Sequence, residues 1–518
     1  MNQTDPDDTA RGGVPQQRAG RVTPSAEARE MLAATGQTLE FAESRLLGGT
    51  WTLDALWTRL GVGASLRRLL ASRGLDESAE RVLFALAANL ALAPSAQTET
   101  ARWVSENVCI TGLPTTTEMA CRQAADWLQE IGDALERDVF DRVGAMHKRG
   151  IDRVFFGATA VWPGEEPAIY GERGLVNSGS ADLGRGTAWL SAYGRHADQS
   201  ECVPLAVIGM AVTQDGFPVR TWCWDGATAW PALIGEVKDD LRDWGPSRVI
   251  WVRGQGATSA ESRRYLAESG DCIIGERLRP GSAAAAAAQA RRGGYQDVAG
   301  KLRVNEVRLG DERVIICHEP GRAVRDAAIR TRTLDRLREF ITYTDTLSTD
   351  ERARACDLIA ARPGLKRYVR VTSGGRLRID TRSVRTEENL DGKYLLCAAT
   401  PELSAADIVL GYTRLLETER SLQAMSQLAY HFTQERVRAH VQLCWLALLL
   451  AHFAENACRA NWATLRHELD RIAVGTFTGP VGTFRQRTEI TDGQRAIFAQ
   501  LGIDPPPLMS RFAPAQGS

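Results

Sequence analysis

The chain has 518 residues, 44% of them hydrophobic and 25% charged, with a formal net charge of −1. That is ordinary globular composition, enough for about two to four structural units. It excludes a protein that grips nucleic acid through bulk charge, so any such contact has to be a local basic face. Five of the 63 basic residues are lysine and the rest arginine, a bias ascribed to a GC-rich genome before any role in phosphate contact.

Residues 1–30 are polar and predict a disordered tail. From 31 to 150, WTLDALWTRLGV, SLRRLLASRGL, SAERVLFALAANLAL and CRQAADWLQEIGDALERDVFDRV repeat apolar residues every three and four positions, predicting a helical domain. At Ile151 the period becomes two. Strands are predicted at 153–156, 204–213 and 218–224, the last two joined by an Asp215-Gly216 hairpin turn. A helix follows at 231–244, with Pro231 in its first turn. Next come a strand at 248–252, a helix opened by the capping-box spacing Thr258–Glu261, and a short strand at 272–274. The alternation predicts a mixed sheet with helices on its faces.

An alanine tract, Ala283–Ala288, interrupts this order. Short strands are predicted at 302–309, 312–318, 368–373, 376–379 and 394–397, with a helix at 322–340, so 276–390 reads as a β-rich insertion. Ser404–Asp407 again has capping-box spacing, and long helices are predicted at 405–428 and 433–457. The apolar run Leu443–Ala454 is too short for a bilayer span and carries His452, so it reads as a core helix. Residues 484–501 predict a short last helix before a mobile tail from Pro505. Ten scattered cysteines form no CxxC or CxH pair, which argues against a zinc ribbon or thioredoxin site. With a polar first segment, they predict buried thiols in the cytoplasm.

Several stretches together resemble the DDE transposases of bacterial insertion sequences. The nearest likeness is to the insertion-sequence-four superfamily, in its long branch with a helical N-terminal domain. The likeness runs over residues 45–506, through VPLAVIGMAVTQDGFPVRTWCWDGATAW, LRDWGPSRVIWV, GGRLRID, LDGKYLL, GYTRLLETER and ERVRAHVQLCWLALLLAHFAE. It implies an α/β ribonuclease-H-like fold in two parts, 151–275 and 391–460. The β-rich insertion lies between them, a helical DNA-binding domain at 31–150 precedes them, and a C-terminal segment at 461–518 follows. It also implies three carboxylates holding Mg²⁺ for phosphoryl transfer on double-stranded DNA at element ends. A homodimer, no membrane and a nucleoid-associated cytoplasmic location complete that expectation.

The chain departs from this pattern where the chemistry should be. The first Asp position, two residues before Thr159, is Gly157. The second, in the run Arg253-Gly254-Gln255-Gly256, is Gly254. The third acid is present as Glu419, but the Arg and Lys that accompany it in the family are Leu415 and Ser426. A glycine offers no ligand, and one Glu cannot satisfy the six-oxygen shell of Mg²⁺. No bound cofactor is therefore expected. Asp198 and Asp225 are the nearest replacement acids, with Asp152 and Asp182 further off. Glu201, His196 and His431 lack ligand spacing. Tyr412, Arg420, Arg436, Arg438, Arg291 and Arg292 are the expected DNA contacts. A lone Glu in a charged helix is ordinarily a solvated residue; the register places Glu419 facing the vacated metal site instead. The expectation is a transposase-family protein without strand transfer. The alternatives are an active enzyme with an altered metal site, and a domesticated DNA-binding or structural protein.

Overall fold

The computed structural model describes residues 40–146, 151–161, 206–246, 248–254, 264–266, 268–276, 278, 294–299, 302–309, 312–426, 434–479 and 482–514. The predicted tail at 1–30, the Thr258–Glu261 helix start and the alanine tract lie outside them. The protein is mixed α/β and divides into two compact units, Met1–Val143 with Gln442–Ser518, and Gly144–Val441.

The first unit opens with strand β1 (Glu40–Leu46) and helices α1 (Gly48–Arg59), α2 (Val62–Ser72), α3 (Ala79–Leu92), α4 (Gln97–Glu106) and α5 (Glu118–Met146). Helix α3 is mostly Ala, Leu, Val and Phe and nearly every residue of it is buried, as in a helix enclosed by its neighbours. Its one buried acid, Glu80, is satisfied by Trp57 Nε1 at 2.7 Å and by Arg67 and Arg81.

The second unit holds β2 (Arg153–Val161), β3 (Ala206–Val212), β4 (Pro218–Asp225), α6 (Trp230–Arg242), β5 (Arg248–Arg253), β6 (Cys272–Glu276), β7 (Gln296–Ala299), β8 (Leu302–Leu309), β9 (Glu312–His318), α7 (Pro320–Thr344), α8 (Thr349–Ala360), α9 (Pro363–Lys366), β10 (Val369–Val371), β11 (Leu377–Ile379), α10 (Thr381–Glu388), β12 (Lys393–Ala398) and α11 (Ala405–Ser426). Helix α12 (Gln434–Cys458) leads back into the first unit, which ends with α13 (Trp462–Leu469), β13 (Ala473–Gly479), β14 (Gly482–Arg487), α14 (Asp492–Leu501) and β15 (Met509–Pro514).

Nine strands of the second unit form one sheet in the order β4-β3-β2-β5-β6-β12-β9-β8-β7. β3 pairs antiparallel with both β2 and β4, whereas β5 runs parallel to β2, and β6 parallel to β5. The Asp215-Gly216 turn is as predicted, with Gly216 at φ 86°. Ser404 caps α11, its hydroxyl accepting from Asp407 N at 3.1 Å. One sheet face carries Phe156, Trp222, Trp224 and Trp251. Trp222 and Trp224 are stacked at 6.2 Å, and their indoles donate to Asp240 and Glu236 of α6. On the opposite face, Phe155 packs against Gly411 of α11.

Two expectations need correction. The 276–390 segment is not simply a β-rich insertion. β7, β8 and β9 extend the main sheet, while 320–388 folds into four helices around the two-stranded hairpin β10–β11, with a core of its own that includes Leu337, Phe340, Ile359, Leu365 and Leu377. The C-terminal segment is not a helix and a mobile tail. β1, β13, β14 and β15 form a four-stranded sheet, and the helix begins only at its Thr491 cap. β1 is a short strand rich in polar residues whose partner β13 is remote in sequence, and local preference carries little information about such a strand. The run Leu443–Ala454 is buried throughout except for Phe453, as a core helix requires, although Arg436–Cys458 is long and apolar enough to cross a membrane.

Candidate functional site

β2 and β5 lie side by side and parallel, with Phe156 opposite Trp251; β5 ends at Arg253, whereas β2 runs past the predicted 153–156 strand to Val161, so Gly157 lies within β2 and not after its end. Gly157 follows Phe156 on β2 and Gly254 directly follows β5. Helix α11 crosses the face beneath. A Cβ built on Gly157 would strike Glu419 Oε1 and lie 2.9 Å from Leu415 Cδ2. A Cβ on Gly254 would meet Leu416 Cδ2 at 3.6 Å. The three positions singled out from sequence therefore converge, with Glu419 turned inward against the bare backbone of Gly157.

Burial pushes the Glu419 carboxyl up to about 7, against the pull of Arg253 and Arg420, which favour its ionised form. Arg253, the last residue of β5, is half-buried and stacks over the Trp230 ring at 4.2 Å. Burial lowers its pKa and the Glu419 charge counters that. A cation thus stands beside the one remaining acid. Sequence reasoning passed over Arg253. Its signal was its place immediately before Gly254, where a guanidinium reaches the same cleft.

The other expected residues separate by burial. Arg420, Arg436 and Arg438 are exposed. Tyr412 is 2% exposed, stacks on Tyr394, and its hydroxyl finds no partner among the described residues. The expectation that Tyr412 touches DNA is therefore corrected. It fills the space above Gly275, where a Cβ would strike its hydroxyl. Leu415 is fully buried, so the position where the resemblance implies an arginine is part of the core. Asp225 is exposed at the end of β4, two strands from β2, and accepts from Ala227 N at 2.8 Å. Arg291, Arg292, Asp182, Asp198, His196, Glu201 and His431 lie outside the described residues.

These groups do not fit the Mg²⁺ site that the resemblance implies. Two of the three ligand positions carry no side chain, and the third carboxyl feels a neighbouring guanidinium. Among the described residues no three His, Cys, Asp or Glu side chains converge.

The raised Glu419 pKa has a stability consequence. The folded state holds the proton to higher pH than the unfolded state, so stability is lost as pH rises from about 4.5 toward 7. Glu419→Gln mimics the protonated form. It is expected to match the wild type at acidic pH and to exceed it by roughly 1–3 kcal/mol above neutrality. Denaturation midpoints at the two pH values measure this, and a pH-independent difference would contradict it.

No protein-family model, curated protein or solved structure matches the chain.

Proposed function

We propose that this protein binds double-stranded DNA on the scaffold of an insertion-sequence DDE transposase and does not carry out metal-dependent strand transfer. The observation that carries this reading is the convergence of Gly157 within β2, Gly254 just after the neighbouring β5, and Glu419 on α11. Those are the places where the transposase pattern needs three acids. The strand order β4-β3-β2-β5-β6 is what a ribonuclease-H-like core requires: three antiparallel strands followed by two parallel to the first. Its two helices, α6 and α11, lie on opposite faces, and β7 to β9 with α7 to α10 fall in the position of the insertion. The missing carboxylates remove the chemistry without removing the scaffold. A domesticated DNA-binding protein and a decayed element are both compatible with this reading.

Retention of a duplex probe carrying inverted terminal repeats, measured over a range of salt, tests the binding half. Affinity is expected to fall as salt rises, because phosphate contacts release counterions. Arg436→Ala with Arg438→Ala is expected to shallow the log–log slope by about 2. An unchanged slope would clear α12 of phosphate contact. No retention at any salt would favour a structural or partner-binding role.

A further inference from the structure

We infer that one face of the nine-stranded sheet, at Lys393 and His318, binds the phosphoryl dianion of a small molecule through side-chain donors brought together by β8, β9, β12 and the entry to β7. Such a site goes beyond DNA binding and does not depend on it.

Strand register sets the geometry. His318 on β9 lies directly opposite Arg303 on β8 and Lys393 on β12, so the three side chains share a face. Asn305, two residues after Arg303, is on the same face. Tyr295, just before β7, brings its ring to 6.2 Å from the His318 ring. The acids on this face among the described residues are Asp297, opposite Arg303, and Glu276, opposite Leu395.

Donors without acceptors mark the place. Asp297 is taken by Arg303 at 3.1 Å. Lys393 is half-buried, its side chain pairs with no acid among the described residues, and desolvation lowers its pKa with no carboxylate to offset it. Burial and the charges of Lys393 and Arg303 push the His318 pKa down, again with no acid opposing them. Asn305 is only 5% exposed, yet its Nδ2 finds no acceptor among the described residues, and neither does the buried hydroxyl of Tyr295. Buried donors left unpaired cost stability that an accepting ligand restores.

The ligand therefore accepts several hydrogen bonds and carries negative charge. A phosphoryl group has three acceptor oxygens and a charge of about −1.5 to −2 near neutral pH, which suits donors arriving from separate strands. A carboxylate offers only two oxygens. A rigid duplex backbone does not reach Asn305 Nδ2 or the Tyr295 hydroxyl, because both are buried, so the occupant is a small molecule.

The test uses the full chain and calorimetric titration with inorganic phosphate and with glycerol 3-phosphate. Binding of either supports the site, and the tighter of the two identifies the source of the phosphoryl group. Lys393→Met keeps the apolar stem and is expected to weaken binding on the order of tenfold or more. Tyr295→Phe removes one hydroxyl and keeps the ring, and is expected to weaken it several-fold. His318 supplies a second readout, in histidine-labelled protein with its ring signal assigned by loss in His318→Gln. A bound dianion favours the imidazolium, so its titration should move to higher pH when phosphate is added. Failure of both probes to bind the wild type would overturn the site and leave the DNA-binding reading standing. So would unchanged binding in both variants, or a His318 titration that phosphate does not move. Displacement of phosphate by duplex DNA would overturn the small-molecule assignment.

Discussion

Gly157→Asp combined with Gly254→Asp is expected to return at most weak nicking of DNA with Mg²⁺ or Mn²⁺. Gly254 has room for a carboxylate, with only Leu416 nearby at 3.6 Å. Gly157 does not: the place of its Cβ is held by Glu419 Oε1, so a new Asp forces the Glu419 carboxyl to move. Arg253 would then compete with any cation for the restored acids. Leu415 is fully buried at the position where the proposed transposase scaffold implies an arginine. Removing such charge stabilisation alone typically costs on the order of 10²–10³ in rate. Adding Arg253→Ala to the double variant should improve metal binding, measurable with Mn²⁺ by its effect on water relaxation. Vigorous cleavage by the double variant alone would mean that, on the proposed scaffold, the two glycines by themselves account for the missing chemistry.

Gly411→Ala and Gly235→Ala are expected to move stability in opposite directions. Both glycines lie inside helices, where alanine is intrinsically better by about 1 kcal/mol. Gly235 in α6 is exposed, with nothing within 4 Å of an added Cβ, so that gain should be realised. At Gly411 α11 packs tightly on the sheet, and an added Cβ would strike the ring of Phe155, Cδ1 lying at 2.8 Å. Phe155 is itself fully buried, and overpacking of this kind costs roughly 1–3 kcal/mol, occasionally more. Because Glu419 rides on the same helix, Gly411→Ala should also loosen its contact with Gly157 and lower its pKa toward the ordinary carboxylate range. Urea midpoints for the two variants provide the comparison. A stabilised Gly411→Ala would show that the helix does not bear on Phe155.

What could be read in the sequence was local. RVFF marks β2 because aromatic and branched residues favour a pleated, buried strand. Asp215-Gly216 marks its hairpin, Pro231 the first turn of α6, and the Ser404–Asp407 spacing the cap of α11. The alternation of Trp222 and Trp224 put both on one face, where they stack. Helix α8 was equally local, since Ser348 and Glu351 form a complete capping box, but it was lost in a region read as strands. The C-terminal sheet was not local at all. β1 pairs with β13 across most of the chain length, and nothing within EFAESRL announces it. At the site, spacing and resemblance located Gly157, Gly254 and Glu419. They could not show that Tyr412 and Leu415 are core residues, because burial of a helix face depends on which strand it crosses. The stacking of Arg253 on Trp230, with its charge near Glu419, likewise depends on β5, α6 and α11 meeting.

The most direct test of a DNA-binding scaffold without strand-transfer chemistry is one reaction read two ways. Full-length protein is incubated with an end-labelled duplex carrying terminal repeats, with Mg²⁺ or Mn²⁺, and the products are run on native and on denaturing gels. The expected result is a retarded complex at low salt in which both strands stay intact. Strand cleavage that needs the metal and is abolished by Glu419→Gln would contradict it, as would the absence of any retarded complex.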